Sequence, residues 1–148
     1  MILKTARRSL SFVCHEEGQR EELMSFSVLV IEGDPTVAGL LVEVFSMQRW
    51  DVCVPRSGVG VVDTLLGSRY FDIITVSYRF PATNGVEIIR LIRELEHRRD
   101  TPVLMVTGSP EVTDEALAMG ATEVIYKPIT PHRLVEAMMR HLSSLLAS

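Results

Sequence analysis

From Ser27 onward the chain alternates short β-branched runs with longer stretches in which apolar residues recur at helical spacing. The runs Val28 to Ile31, Val52 to Val54, Ile73 to Val76, Val103 to Val106 and Glu123 to Tyr126 read as strands. Each lies near the common strand length of about 5 residues. The stretches Thr36 to Gln48, Gly58 to Leu66, Gly85 to Glu96, Glu111 to Met119 and Pro131 to Leu145 read as helices, with Pro131 suited to a first helical turn. Strand and helix alternating in this way imply βαβ units and a parallel sheet covered on both faces. The predicted fold is therefore α/β: a (βα)5, doubly wound, five-stranded parallel sheet of order 2-1-3-4-5. Its crossovers are right-handed, and its crevice opens at the carboxyl ends of strands 1 and 3.

Residues 1–26 stand outside that pattern. Lys4, Arg7 and Arg8 lead into a few apolar residues and then into the polar run His15 to Glu22, so this stretch reads as an amino-terminal tail. Met24, just before the first strand, is a second candidate start. Residues 27–146 form the single domain. No effector domain follows Leu145, so the domain is expected to stand alone.

Composition narrows the function classes. A chain of 148 residues suffices for one domain with its own core. With 15 basic and 19 acidic side chains the formal charge is −4, which gives no general attraction to nucleic acid or to an anionic membrane. No apolar run approaches the ~20 residues of a membrane span, and Leu10 to Cys14 is too short for the core of a signal peptide. Cys14 and Cys53 show no metal-like or redox spacing. A cytoplasmic protein with two reduced thiols is expected. The mean hydropathy of +0.21 with 47% apolar residues is high for a soluble domain and points to a protein partner.

The candidate chemistry lies at the strand ends. Strand 1 runs into Glu32-Gly33-Asp34-Pro35, strand 3 ends at Val76-Ser77 with Pro81 and Asn84-Gly85 beyond it, strand 4 ends in Thr107-Gly108, and strand 5 in Lys127-Pro128. This set, in this order, resembles the receiver domains of two-component response regulators over residues 27–145, the CheY-like branch of flavodoxin-like folds. The resemblance implies an acidic doublet for Mg²⁺ after strand 1 and a phosphoacceptor aspartate at the end of strand 3. It also implies a hydroxyl and a lysine that contact the phosphoryl oxygens, and a cis Lys127-Pro128 bond. Such a transfer needs a nucleophilic carboxylate, a hard cation held by oxygens, and positive charge on the moving group. Glu32, Thr107 and Lys127 match three of these roles.

The departures decide the expected function. Gly33 stands where the direct metal acid belongs, and Ser77 where the acceptor aspartate belongs. A neutral hydroxyl cannot form an acyl phosphate. Asp72, the nearest acid upstream, lies about 16 Å away at the other end of its strand and on the other face. Val124 replaces the switch aromatic three residues before the lysine, and Tyr126 shares its face but not its position. The pocket of Glu32, Gly33, Asp34, Ser77, Thr107 and Lys127 thus reads as a degenerate phosphorylation site, with Lys127 expected to pair with Glu32 or Asp34.

A pseudo-receiver is the leading expectation: a non-enzymatic module without cofactor or bound metal, acting by contact with a histidine kinase, another regulator or a second copy. An atypical receiver phosphorylated on Glu32 or Asp34 is one alternative. A flavodoxin-like cofactor binder is another, opposed by the acidic loop after strand 1, which repels phosphate. In the last helix, Leu134, Met138, Leu142 and Leu145 form the stripe expected to pack on the sheet. Val135, Met139 and Leu146, about 100° further round, form the expected contact face. Gly58 and Gly60 read as helix-start glycines, not a dinucleotide fingerprint. His15, His97, His132 and His141 show no metal spacing, and Arg90, Arg93, Arg98 and Arg99 are expected on a solvated helix face.

Overall fold

The computed structural model describes the backbone of residues 9–14 and 20–147 and the side chains of residues 25–144. In chain order the elements are β1 (Ser9–Cys14), β2 (Arg20–Ser25), β3 (Ser27–Ile31), α1 (Pro35–Met47), β4 (Asp51–Cys53), α2 (Gly58–Leu66) and β5 (Ile73–Ser77). They continue with the two-residue strands β6 (Arg79–Phe80) and β7 (Thr83–Asn84), then α3 (Gly85–Glu94), β8 (Val103–Thr107), α4 (Thr113–Met119), β9 (Glu123–Tyr126) and α5 (Pro131–Ala147). Five strands pair in parallel in the order β4-β3-β5-β8-β9, which is the expected 2-1-3-4-5 order counted along the sheet.

Strand parity divides the core into two layers. Leu29, Ile31, Ile74, Val76, Val103 and Met105 face α2, α3 and α4, where Val61, Leu65, Ile89, Ile92 and Ala116 meet them. Val28, Val30, Ile73, Leu104 and Val106 face α1 and α5, against Phe45, Leu134, Met138 and Leu142. Every residue of β3, β5 and β8 is buried, which is why these strands read as unbroken apolar runs.

Local chemistry sets the helix starts. Asp34 caps α1 by accepting from Thr36 N at 2.8 Å and Val37 N at 3.4 Å, with Pro35 in the first turn. Ser57 caps α2 through Gly60 N, and Asn84 caps α3 through Glu87 N. Gly85 is demanded by its surroundings, because a Cβ there would lie 2.5 Å from the Ser77 carbonyl oxygen and 2.8 Å from Met105 Cε. Gly120, at φ +120°, closes α4 in a conformation that side chains rarely adopt.

Three features differ from the sequence reading. Within residues 1–26, read as a tail, β1 and β2 form an antiparallel hairpin in register from Ser9↔Ser25 to Cys14↔Arg20. Such local pairing carries none of the strand–helix period that marks the rest of the chain. Its base is anchored: Ser25 Oγ donates to Arg49 O at 2.9 Å, and Phe26 packs edge-on against Trp50. A second small hairpin, β6-β7, follows β5 directly. The arginine cluster also divides. Arg90 lies exposed between Glu87 and Glu94, and Arg99 is exposed, as expected. Arg93 and Arg98 instead turn inward.

Arg98 is 2% exposed and donates from Nε to Leu65 O at 2.6 Å and from Nη2 to Thr64 O and Gly67 O at 3.0 and 2.9 Å. The last carbonyls of α2 have no partner within the helix, and this guanidinium supplies one while lying over the Phe71 ring. Arg93 likewise gathers the carbonyls of Gly120, Arg99 and Thr101. No helix among the described residues is long and apolar enough to cross a membrane.

Two expectations follow for stability. Arg98→Met leaves Thr64 O without its donor and leaves Leu65 O and Gly67 O to His97 Nε2, 3.0 Å from each; it should cost about 1–3 kcal/mol, whereas Arg90→Met should stay within about 0.5 kcal/mol. Urea unfolding followed by Trp50 fluorescence measures both, and equal costs would contradict the capping role. Glu123 at the start of β9 accepts from His141 at 2.8 Å and Arg140 at 2.9 Å on α5. Desolvation pushes its carboxyl up, but those bonds outweigh it and hold the group below its usual range. A depressed carboxylate stabilises the fold above its unfolded value of about 4.3 and loses that contribution as pH falls through the folded value. Glu123→Gln should therefore shrink the drop in urea midpoint between neutral and acid pH; an unchanged drop would remove this pair from the account.

Candidate functional site

The carboxyl ends of β3, β5 and β8 and the loop after β9 enclose a cavity of about 610 Å³. Glu32, Gly33, Asp34, Ser77, Thr107 and Lys127 all line it, so the residues singled out in the sequence converge on one place. Tyr78, Arg79, Phe80 and Ser109 join them, which the strand-end motifs did not mark. The signal for Arg79 was available: it lies two residues past Ser77, at the start of a turn that must fold back toward α3.

Each side chain already has an occupation. Glu32 directly follows β3, its side chain is 6% exposed, and Oε1 lies 3.7 Å from Lys127 Nζ. Oε2 accepts from Asp34 N at 3.1 Å. Of the two pairings expected for Lys127, the structure therefore shows the one with Glu32. Asp34 accepts both α1 amides through Oδ1. Ser77 ends β5 buried, its hydroxyl donating to Arg79 O at a long 3.4 Å. Thr107 ends β8, its Oγ1 accepts from Ser109 N at 3.0 Å, and its carbonyl accepts from Lys127 N at 2.8 Å. The Lys127-Pro128 bond is cis, as expected.

Gly33 has a positive reason to be glycine. A Cβ at this position would lie 3.1 Å from Arg79 O and 3.1 Å from Pro81 Cδ, tighter than ordinary van der Waals contact. The β6-β7 turn thus leans on the backbone where the second acid was expected. A Mg²⁺ ion takes several oxygen ligands in near-octahedral array. Here one carboxylate faces an ammonium, one caps a helix, and the third position carries no side chain. No group of three or more His, Cys, Asp or Glu side chains able to hold a metal occurs among the described residues. The residues present do not fit the ion.

The switch position and the outer faces complete the picture. Val124 pairs with Met105 and is half-buried against the core. Tyr126, opposite Thr107, is exposed, and its hydroxyl lies 2.6 Å from Thr113 Oγ1. Since Thr113 gives its proton to Pro110 O at 2.7 Å, Tyr126 is the donor, and the ring ties β9 to the first turn of α4. Asp72 is buried at the amino end of β5, where Oδ2 accepts from Ser27 N at 2.8 Å, far from the cavity as its strand position required. On α5, Met139 is 37% exposed, but Val135 is half-buried against the core. The expected contact face is thereby narrower than the wheel suggested, because Val135 reaches back to the sheet. The side chains of Leu145 and Leu146 lie outside the described residues.

Comparison with known proteins gives a consistent result. The family model described as "Response regulator receiver domain" matches residues 28–139. The TorCAD operon transcriptional regulatory protein TorR of Escherichia coli K12 is 27% identical over 114 residues, covering 76% of this chain and 48% of that protein. The chain spans about half the length of the curated relatives it matches. Among solved structures, the chemotaxis response regulator CheY4 of Vibrio cholerae superposes with a TM-score of 0.74 at 25% identity, over 80% of this chain and 99% of that one. A putative response regulator from Chloroflexus aurantiacus gives 0.75 at 22% identity, over 80% and 98%.

The metal argument can be tested by rebuilding the site. Ser77→Asp with Gly33→Asp restores two carboxylates at the cavity, and the pair should give an NMR response to millimolar Mg²⁺. Shifts should spread to the Arg79 and Phe80 amides, because the turn must yield to the new Cβ. A double variant that ignores Mg²⁺ would mean that the pocket geometry is not recoverable by these two positions.

Proposed function

The chain belongs to the response regulator receiver domain family, and from that premise we propose that it is a two-component signalling module whose output is protein contact without aspartyl phosphorylation. Ser77 at the end of β5 carries this reading, since its hydroxyl stands where a receiver needs a nucleophilic carboxylate. The cation that would assist transfer lacks its ligands for the reasons given above. The Lys127 ammonium lies instead against Glu32.

The occupations of Glu32 and Asp34 argue against either as a substitute acceptor. Attack by Glu32 would break its contact with Lys127, and Asp34 is held in the α1 cap by Thr36 N and Val37 N through Oδ1. In this reading the protein has no catalytic residue, acts in the cytoplasm, and signals by docking to a histidine kinase or another regulator through the α5 surface around Val135, Met139 and Leu146.

Intact mass after incubation with acetyl phosphate and Mg²⁺ tests the proposal. The expected result is an unchanged mass in the wild type. A stoichiometric phosphoryl adduct, abolished by Glu32→Gln or Asp34→Asn, would replace this reading with that of an atypical phosphorylated receiver.

A further inference from the structure

Among the described residues an apolar unpartnered surface lies on α2, apart from α5 and meeting the strand-end cavity only at Phe80 and Pro81. Asp63 and Thr64 are the only polar side chains of this helix. Val61 and Leu65 fill the core. Val59, Val62 and Leu66 recur at three and seven residues on the opposite arc and are 72%, 40% and 57% exposed. A helix apolar on both sides is a helix meant to be covered on both. The stripe continues into an apolar groove of about 340 Å³ between α2 and α3, with Phe80 and Ile88 in its lining and Ala82 and Leu91 beside them.

Charge identifies the occupant. Arg56, just before the helix, and Asp63, on the same exposed arc as Val59, are both exposed, and neither has an ion-pair partner among the described residues. They lie seven residues apart, one on each side of the Val59–Val62 pair. If two copies cross antiparallel about a two-fold axis midway between Val59 and Val62, Val59 of each meets Val62 of the other. Arg56 of each then lies within a helical turn of the other's Asp63. The contact is self-complementary and satisfies both stray charges twice.

We propose that the α2 stripe, with Arg56 and Asp63 flanking its Val59–Val62 pair, is a two-fold interface with a second copy of this chain. The proposal extends the reading that contact is the output, and it stands or falls independently of phosphorylation.

Sedimentation equilibrium of the full chain tests it. The expected result is concentration-dependent dimerisation, weakened at least about tenfold by Val62→Glu. Arg56→Asp and Asp63→Arg should each weaken it, and the double charge reversal should recover affinity to within about threefold of wild type. Met139→Glu should leave it unchanged. Far-ultraviolet circular dichroism checks that each variant is folded, and Val59→Thr serves if Val62→Glu is not. A protein that stays monomeric to about 1 mM, a dimer indifferent to the α2 variants, failure of the double reversal to recover, or a dimer lost in Met139→Glu would each overturn the proposal. The mass measurement on phosphoryl transfer reports separately on the function proposed above.

Discussion

Glu32 is the constraint around which the site is arranged. The sheet buries this carboxylate at the end of β3, a strand paired on both sides, and a buried charge needs a compensating one or strong hydrogen bonds. Lys127 and the Asp34 amide meet that need. The same contact ties the loop after β9 to the loop after β3 across the width of the site. Lys127 N bonds Thr107 O in addition, so three strand ends are fixed relative to one another. A half-exposed ion pair contributes modest stability by itself. Its importance is positional: it holds the loops after β3 and β9 together at the cavity.

The other residues that depart from the receiver pattern agree with that arrangement. The β6-β7 turn leans over Gly33, and the backbone there tolerates the approach because no side chain projects. Ser77 is small, buried and weakly bonded to the same turn. Val124 packs into the core where a moving aromatic ring was expected, while Tyr126 is tethered to α4. A pocket built to change state would leave some of these groups to be satisfied by the incoming phosphoryl group and its cation. Here protein atoms satisfy most of them.

The fold was legible because its signal is repeated. Five apolar runs and five helical stretches reinforce one another, and the order of the sheet follows from the rule for doubly wound folds. The strand-end residues of the cavity were legible for the same reason, since strand ends in such a sheet converge. What escaped was chemistry that depends on contacts distant in sequence. Arg98 looks like any charged residue after a helix, and only the folded chain reveals that its guanidinium meets the end of α2, 33 residues earlier. The closeness of the β6-β7 turn to Gly33 is likewise invisible in a linear pattern. Val135 and Met139 looked equivalent on a helical wheel, yet one reaches the core and the other does not. The exposed stripe on α2 was hidden for the opposite reason: a short helix of nearly uniform apolarity gives no contrast between its faces.

The central claim is that Lys127 serves Glu32 as its resident cation and leaves no place for a divalent one. Titrating the unaltered protein with Mg²⁺ while observing backbone amide resonances tests this most directly. The account predicts that the amides of Gly33, Thr107, Gly108 and Ser109 stay unmoved at millimolar metal. Saturable shifts confined to those amides would show that the pocket still binds the ion, and would contradict it.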